Sequence, residues 1–345
     1  MAGEGEFPKV DGDVLYASEV NTFHNSIWNN LINTGGNILG IINNSATTWT
    51  GTYGTATRRT TDSGVTWATV TTDFSDMNGV LKVCAADKTK SICFDNNAPN
   101  CFKAADSGDT WSASSTSPAG SGRINDASFP TATVAVCGGS NLTTRSIYYS
   151  TDAGDTWTVC ATGETSVCRA IAMLDGSTGF AIFEDKKIWK TTDGGVNWAD
   201  TGKSVSADAS GSTCTIVPLT ATTGIYFNPE ADPAIETFDT AGAVTPRMYL
   251  NSNFTYTYGS NLLKITNGNV YFVNWTFNAE HGNNAALYRS TDSGVTWQVK
   301  NLGANSNASL ANLKTANSKA QLVEYDTNKL LIMVSPSSLM TLDES

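Results

Sequence analysis

One eight-residue segment recurs along this chain and limits what it can fold into. Its pattern is Ser, Thr or Ala, then Thr or Ala, then Asp, any residue, Gly, any residue, Thr or Asn, and Trp. It is met at Thr60–Trp67, Ala104–Trp111, Ser150–Trp157, Thr191–Trp198 and Ser290–Trp297. The aspartates Asp62, Asp106, Asp152, Asp193 and Asp292 stand 44, 46, 41 and 99 residues apart. The last interval is two periods, and a worn copy lies inside it, keeping Asp239 and Gly242 without the Trp. A fixed period of this length marks a repeat architecture, in which each unit buries its apolar faces only by stacking on its neighbours.

The residue types explain the segment. Asp accepts hydrogen bonds from nearby turn N–H groups and tolerates turn geometry. The glycines Gly64, Gly108, Gly154, Gly195 and Gly294 supply a backbone conformation that other residues resist. Thr or Asn then restarts an extended strand, and Trp67, Trp111, Trp157, Trp198 and Trp297 have the area to pin the turn onto its surroundings. The segment is expected to be a staple between two strands. Six equivalent copies fit folding better than catalysis or calcium binding, so no catalytic, cofactor or metal residue is assigned to them.

Each period has room for four short strands. The fourth unit shows them most clearly, at Arg169–Met173, Gly179–Phe183 and Lys187–Thr191, with a last one opening at Trp198. Four strands per 40–45 residues describe a β-propeller blade. The segments resemble Asp-box, or BNR, repeats, which occur in sialidases, xyloglucan-cleaving glucanases, sortilin-type receptors and photosystem II assembly-factor propellers. That resemblance spans residues 37–345. It implies an all-β propeller with Asp-box turns, and it says little about activity, because the families sharing it do unrelated things. Six boxes define six blades. Strand-like segments at Gln321–Tyr325, Lys329–Val334 and Ser338–Leu342 carry no box and predict a seventh, with one end of the chain completing a blade begun at the other.

Residues 1–36 stand outside the repeat and are expected to form an attachment or oligomerisation segment, an arm followed by a short α-helix. Ser18 is a good N-cap, Val20, Phe23, Ile27, Trp28 and Leu31 follow helical spacing, and Gly35 and Gly36 end the run. The segment from Lys9 to Asn21 resembles the opening of tailed-virus fibre and appendage proteins. This resemblance implies a virion-associated protein, docked to other virion proteins through residues 1–36. Its propeller would bind a host-surface glycan or protein or decorate the particle, and the chain would form a homo-oligomer.

Charge and composition narrow the rest. The net charge of −11 argues against nucleic acid or an anionic membrane as the main partner. The acidic N-terminus reads as no secretory signal, and no apolar run approaches the ~20 residues that span a bilayer. Seven cysteines without a Cys-x-x-Cys pair, and two histidines, make a zinc site improbable; the thiols read as small buried residues. Seven arginines are present, Arg58, Arg59, Arg123, Arg145, Arg169, Arg247 and Arg289, but without the arginine pattern that sialidases would imply. Glu164, Asp175, Glu184, Glu230 and Asp232 are available as glycosidase carboxylates, yet no spacing singles out a pair. The expectation is a non-enzymatic binding protein that needs no cofactor. The alternatives are a glycan-processing hydrolase and a partner-binding assembly factor. Tyr256, Tyr258, Tyr271, Trp275 and Phe277 in the sixth unit suit either sugar binding or the core between blades.

Overall fold

The computed structural model describes residues 27–33, 40–53, 56–71, 79–95, 98–142, 146–161, 164, 166–206, 214–228, 234–249, 256–259, 261–278, 282–305, 322–335 and 338–344. Strand β1 (Ile27–Asn33) comes first. Blade 1 is β2 (Gly40–Asn43), β3 (Trp49–Tyr53), β4 (Ala56–Thr60) and β5 (Ala68–Thr71). Blade 2 is β6 (Leu81–Val83), β7 (Ser91–Phe94), β8 (Cys101–Ala104) and β9 (Ser112–Ala113). Blade 3 is β10 (Gly120–Ser128), β11 (Ala135–Leu142), β12 (Ile147–Ser150) and β13 (Thr158–Val159). Blade 4 is β14 (Cys168–Met173), β15 (Gly179–Phe183), β16 (Lys187–Thr191) and β17 (Ala199–Ser204), the strands read from the sequence. Blade 5 is β18 (Thr215–Pro218), β19 (Thr223–Phe227), β20 (Ile235–Asp239) and β21 (Val244–Met248). Blade 6 opens with a divided inner strand, β22 (Tyr256–Gly259) and β23 (Leu263–Lys264), both paired to β24 (Val270–Asn278), and continues with β25 (Gly282–Ser290) and β26 (Gln298–Asn305). Blade 7 holds β27 (Leu322–Asp326), β28 (Lys329–Ser335) and β29 (Ser338–Asp343).

The fourth strand of blade 7 is β1. It pairs antiparallel with β29, Ile27 opposite Asp343 and Asn33 opposite Ser338, with a bulge between Asn29 and Ile32. The ring is therefore closed by the two ends of the chain, as expected, but the helix expected over residues 18–34 is a strand from Ile27 onward. Ile27, Trp28 and Leu31 lie on β1, while Val20 and Phe23 lie outside the described residues. The physical reason is an unpaired edge. The ladder to β1 satisfies the N–H and C=O groups on the side of β29 that faces away from β28. Asn29, Asn30 and Asn33 are weak helix formers, and a ladder to β29 gives this segment more than an isolated helix could.

The innermost strands β27, β2, β6, β10, β14 and β18 contact one another in succession, and β23 returns to β27. Thr215 Oγ1 accepts the Leu262 N–H at 3.1 Å and joins blade 5 to blade 6. Apolar clusters fill the spaces between blades. Phe94 and Cys101 of blade 2 pack with Ile124, Cys137 and Trp157 of blade 3. Phe180 of blade 4 packs with Tyr226 and Phe238 of blade 5, and Phe227 of blade 5 with Phe272 and Trp297 of blade 6. All seven cysteines are buried free thiols. Tyr271 is core, in the cluster shared by blades 6, 7 and 1; Tyr258 stands opposite Trp275, and Tyr256 opposite Phe277, in the β22–β24 register.

Candidate functional site

The repeated segment forms the hairpin between the third and fourth strands of blades 1, 2, 3, 4 and 6. Its bonding repeats almost atom for atom. In blade 3, Ser150 Oγ donates to Asp152 Oδ1 (2.8 Å) and accepts the Gly154 N–H (2.8 Å). Asp152 accepts the Thr156 N–H (2.8 Å) and hydroxyl (2.5 Å), and Trp157 Nε1 donates to the Gly154 carbonyl (3.1 Å). The copies at Asp62 and Asp292 make the same bonds, and that at Asp193 does so with the Asn197 side-chain amide donating in place of the hydroxyl. Two successive residues take positive φ in each copy: Ser63 and Gly64, Ser107 and Gly108, Ala153 and Gly154, Gly194 and Gly195, Ser293 and Gly294. In blade 2, Ala104 replaces the hydroxyl residue, and the buried Trp111 Nε1 has no partner. The worn copy is a different turn: Asp239 accepts the Ala241 N–H, its carbonyl accepts that of Gly242, and Val244 already belongs to β21.

These bonds hold the box carboxylates ionised. The Asp62 carboxyl is lowered to about 2, chiefly by the Thr66 hydroxyl and then by the Thr66 N–H and the Thr60 hydroxyl. In Asp106, Asp152, Asp193 and Asp292 burial works the other way, and the turn hydrogen bonds outweigh it, so these too lie below the ordinary value.

The boxes also join blades, a role that the repeat pattern did not disclose. A Cβ on Gly108 would lie 2.5 Å from Thr50 Oγ1 of blade 1, one on Gly154 2.8 Å from Ile92 of blade 2, and one on Gly294 2.6 Å from Ile225 of blade 5. Arg59 of blade 1 donates to the Ser107 carbonyl and to Asp109 of the next box, both at 3.0 Å. Lys103 of blade 2 pairs with Asp155, which also accepts from the N–H and hydroxyl of Ser115.

The box turns sit beside the hairpins that join the first and second strands of their own blades. The Ser107, Ala153 and Gly194 N–H groups donate to the carbonyls of Thr89, Thr133 and Ser177. On that same face a cavity of about 280 Å³ opens among the inner strands of blades 2 to 5 and the start of blade 6. Its walls are Val83, Phe129, Pro130, Met173, Leu174, Ile216, Pro218 and Leu262, with Lys82, Asp126, Asp175 and Asn261 as polar members. Sequence reasoning did not single out this cavity. The usable signal was a polar pair, Asn125 and Asp126, inside a run that should form a wholly buried inner strand.

The polar members are engaged in holding the ring. Asp126, 4% exposed at its side chain, pairs with Lys82 of blade 2 at 3.1 Å and accepts the N–H groups of Ala127 (2.9 Å) and of Ile171 in blade 4 (3.2 Å). Asn261 exchanges two hydrogen bonds with the Leu322 backbone of blade 7. Asp175 caps the turn into β15, and the Thr178 and Ser177 N–H groups lower its carboxyl. Of the other carboxylates considered for hydrolysis, Glu164 binds the Ser166 N–H and Lys187, and Glu184 pairs with Arg169; Glu230 and Asp232 lie outside the described residues. Arg289 is tied to Gln298 and Glu344, Arg247 to Thr237. Among the described residues no three His, Cys, Asp or Glu side chains gather as metal ligands, and no helix is long and apolar enough to cross a membrane.

No family model and no curated protein sequence matches the chain. Solved structures match its fold. YCF48 bound to D1 peptide aligns with a TM-score of 0.60 at 16% identity, covering 92% of this chain and 94% of that one. The WD40 β-propeller domain of Doa1 aligns at 0.60 and 9% identity, over 93% and 97%. An ancestral GH74 enzyme aligns at 0.55 and 11% identity, over 91% of this chain but only 46% of its own length. At these identities the likeness establishes a seven-bladed propeller and no activity.

Proposed function

We propose that this chain is a non-enzymatic binding module of the Asp-box propeller type, carried on a virus particle through its N-terminal segment, with the cavity at the box face as the place where a partner inserts. The observation that carries the binding reading is the use made of the cavity carboxylates. Asp126 is spent on Lys82 and two backbone N–H groups, and Asp175 on a turn, so neither is poised as an acid or base. The apolar wall of Phe129, Met173, Leu174 and Ile216 around a few fixed polar groups is the composition of a binding pocket. YCF48 carrying a D1 peptide supports the idea that a propeller of this shape can hold a protein segment. The virion part rests on the resemblance of Lys9–Asn21 to appendage proteins.

Two measurements test the reading. Mass spectrometry of purified particles from the source culture should find the chain at fixed stoichiometry, and deletion of residues 1–26 should release it from the particle without unfolding it. Particles that lack the full-length chain would overturn the virion reading. A panel of polysaccharides incubated with purified protein should show no turnover, and hydrolysis of any of them would overturn the non-enzymatic one.

A further inference from the structure

Away from the cavity, toward the start of the inner strands, two guanidinium groups stand on neighbouring blades. Arg123 is on β10 of blade 3 and Arg169 on β14 of blade 4. The two strands are locked side by side: Asn125 Nδ2 donates to the Cys168 carbonyl at 2.8 Å, and Asp126 and Ser128 accept the N–H groups of Ile171 and Met173. Neither arginine can therefore drift from the other by a shift of its backbone. Arg169 already has a counter-charge in Glu184, at 2.7 Å. Arg123 is half-buried; what acts on its charge is burial and, after that, the Arg169 charge, and both pull its guanidinium below the ordinary value. No hydrogen bond or ion pair is formed by its side chain among the described residues.

A half-buried arginine beside a second cation is costly unless something negative completes it. Guanidinium groups bind carboxylate and phosphate oxygens through paired N–H donors. We propose that Arg123 and Arg169 form an oxyanion-binding site on the inner strands of blades 3 and 4, with Arg123 as the principal donor and Glu184 keeping Arg169 in place. The chain as a whole is acidic, so long-range attraction does not favour an anion here, and the site selects its ligand by short-range geometry. It is independent of the cavity at the box face and does not rest on the reading given above.

Thermal unfolding of the full chain and of Arg123→Gln and Arg123→Lys, in chloride, phosphate and citrate at matched ionic strength, tests the site. Phosphate and citrate raise the melting temperature of most proteins by exclusion from the surface, so the readout is the excess in wild type over Arg123→Gln. The expected result is such an excess in at least one oxyanion. Phosphate alone would indicate a phosphoryl ligand, and citrate alone a carboxylate. Arg123→Lys should keep part of the excess, because it retains the charge but not the paired donors. In chloride, Arg123→Gln should melt at or above wild type, because it removes an uncompensated charge. Equal increments in wild type and Arg123→Gln, or an Arg123→Gln variant that melts below wild type in chloride, would overturn the proposal.

Discussion

Gly195→Ala measures how much a box contributes by touching the preceding blade. Gly195 has φ of +91°, and a Cβ built on it would overlap Val136 Cγ1 of blade 3 while lying 3.5 Å from Tyr149 Cβ. Val136 is fully buried. Two costs are expected: roughly 1–2 kcal/mol for holding a residue with a Cβ in the left-handed region, and roughly 1–3 kcal/mol for forcing extra volume into a packed contact. The same blade supplies its own control. Gly202 has φ of +70°, and a Cβ there meets nothing within 4 Å, so Gly202→Ala carries only the first cost. Both substitutions restrict the unfolded chain equally, and that effect cancels in the difference. Equilibrium urea unfolding of the two variants should show Gly195→Ala to be less stable than Gly202→Ala by about 1–3 kcal/mol. In a Val136→Ala background, where the obstructing methyl groups are gone, the cost of Gly195→Ala should fall to that of Gly202→Ala. Equal costs in the wild-type background, or a difference that survives Val136→Ala, would refute the claim that the box glycine is a contact between blades.

Acid should act late on this protein. The box carboxylates have folded values below their unfolded value of about 3.9, so their contribution is complete above that pH and is lost as pH falls toward about 2, the value that Asp62 reaches; urea midpoints that declined between pH 7 and 5 would contradict this. Arg289 and Glu344, whose side chains are 5% and 6% exposed and 2.8 Å apart, join blade 6 to the end of blade 7. Arg289→Met should cost about 3–5 kcal/mol in urea unfolding by stranding a buried carboxylate, and adding Glu344→Gln should recover much of the loss. Deleting residues 1–26 should leave the melting profile unchanged, whereas deleting residues 1–33 removes β1, exposes the edge of β29, and should abolish a single cooperative transition in calorimetry.

The fold was legible because the repeat is carried by residues that only one local geometry satisfies. The Asp152 carboxylate, Gly154 at φ of +82° and the Trp157 indole N–H each occupy a place in one bonded turn, and their recurrence revealed the blade period before any strand was located. The regular strands of blade 4 followed from alternation within that frame. The segment at residues 27–33 was misread because Ile27, Trp28 and Leu31 suit a helical face as well as a strand, and the deciding partner, β29, lies some 310 residues away in sequence. The cavity was hidden for a related reason. Its walls come one short strand at a time from five blades, so no local window contains it, and its polar members were chosen by contacts with other blades, as Asp126 was by Lys82 and the Ile171 N–H.

The number of boxes now has a physical explanation. A box is the hairpin that carries the chain from the third strand of a blade to the fourth. In blade 7 no hairpin joins the third strand to the fourth, because β29 pairs there with β1, about 310 residues earlier in the sequence. Seven blades closed in this way leave six positions where a box can stand, five of them filled with the full pattern and one, at Asp239, with a simpler turn. The same arrangement makes the β1–β29 joint different in kind from the others. Every other joint within a blade is a covalent hairpin or a chain continuation, whereas β1 is held to β29 by backbone pairing across a bulge. If residues 1–26 attach the chain as proposed above, load applied there would be carried by the β1–β29 ladder before it reached the rest of the propeller. Pulling along a strand strains all the ladder bonds together, whereas peeling it outward breaks them one after another, so an attachment that must survive load should run along β1 rather than away from the sheet.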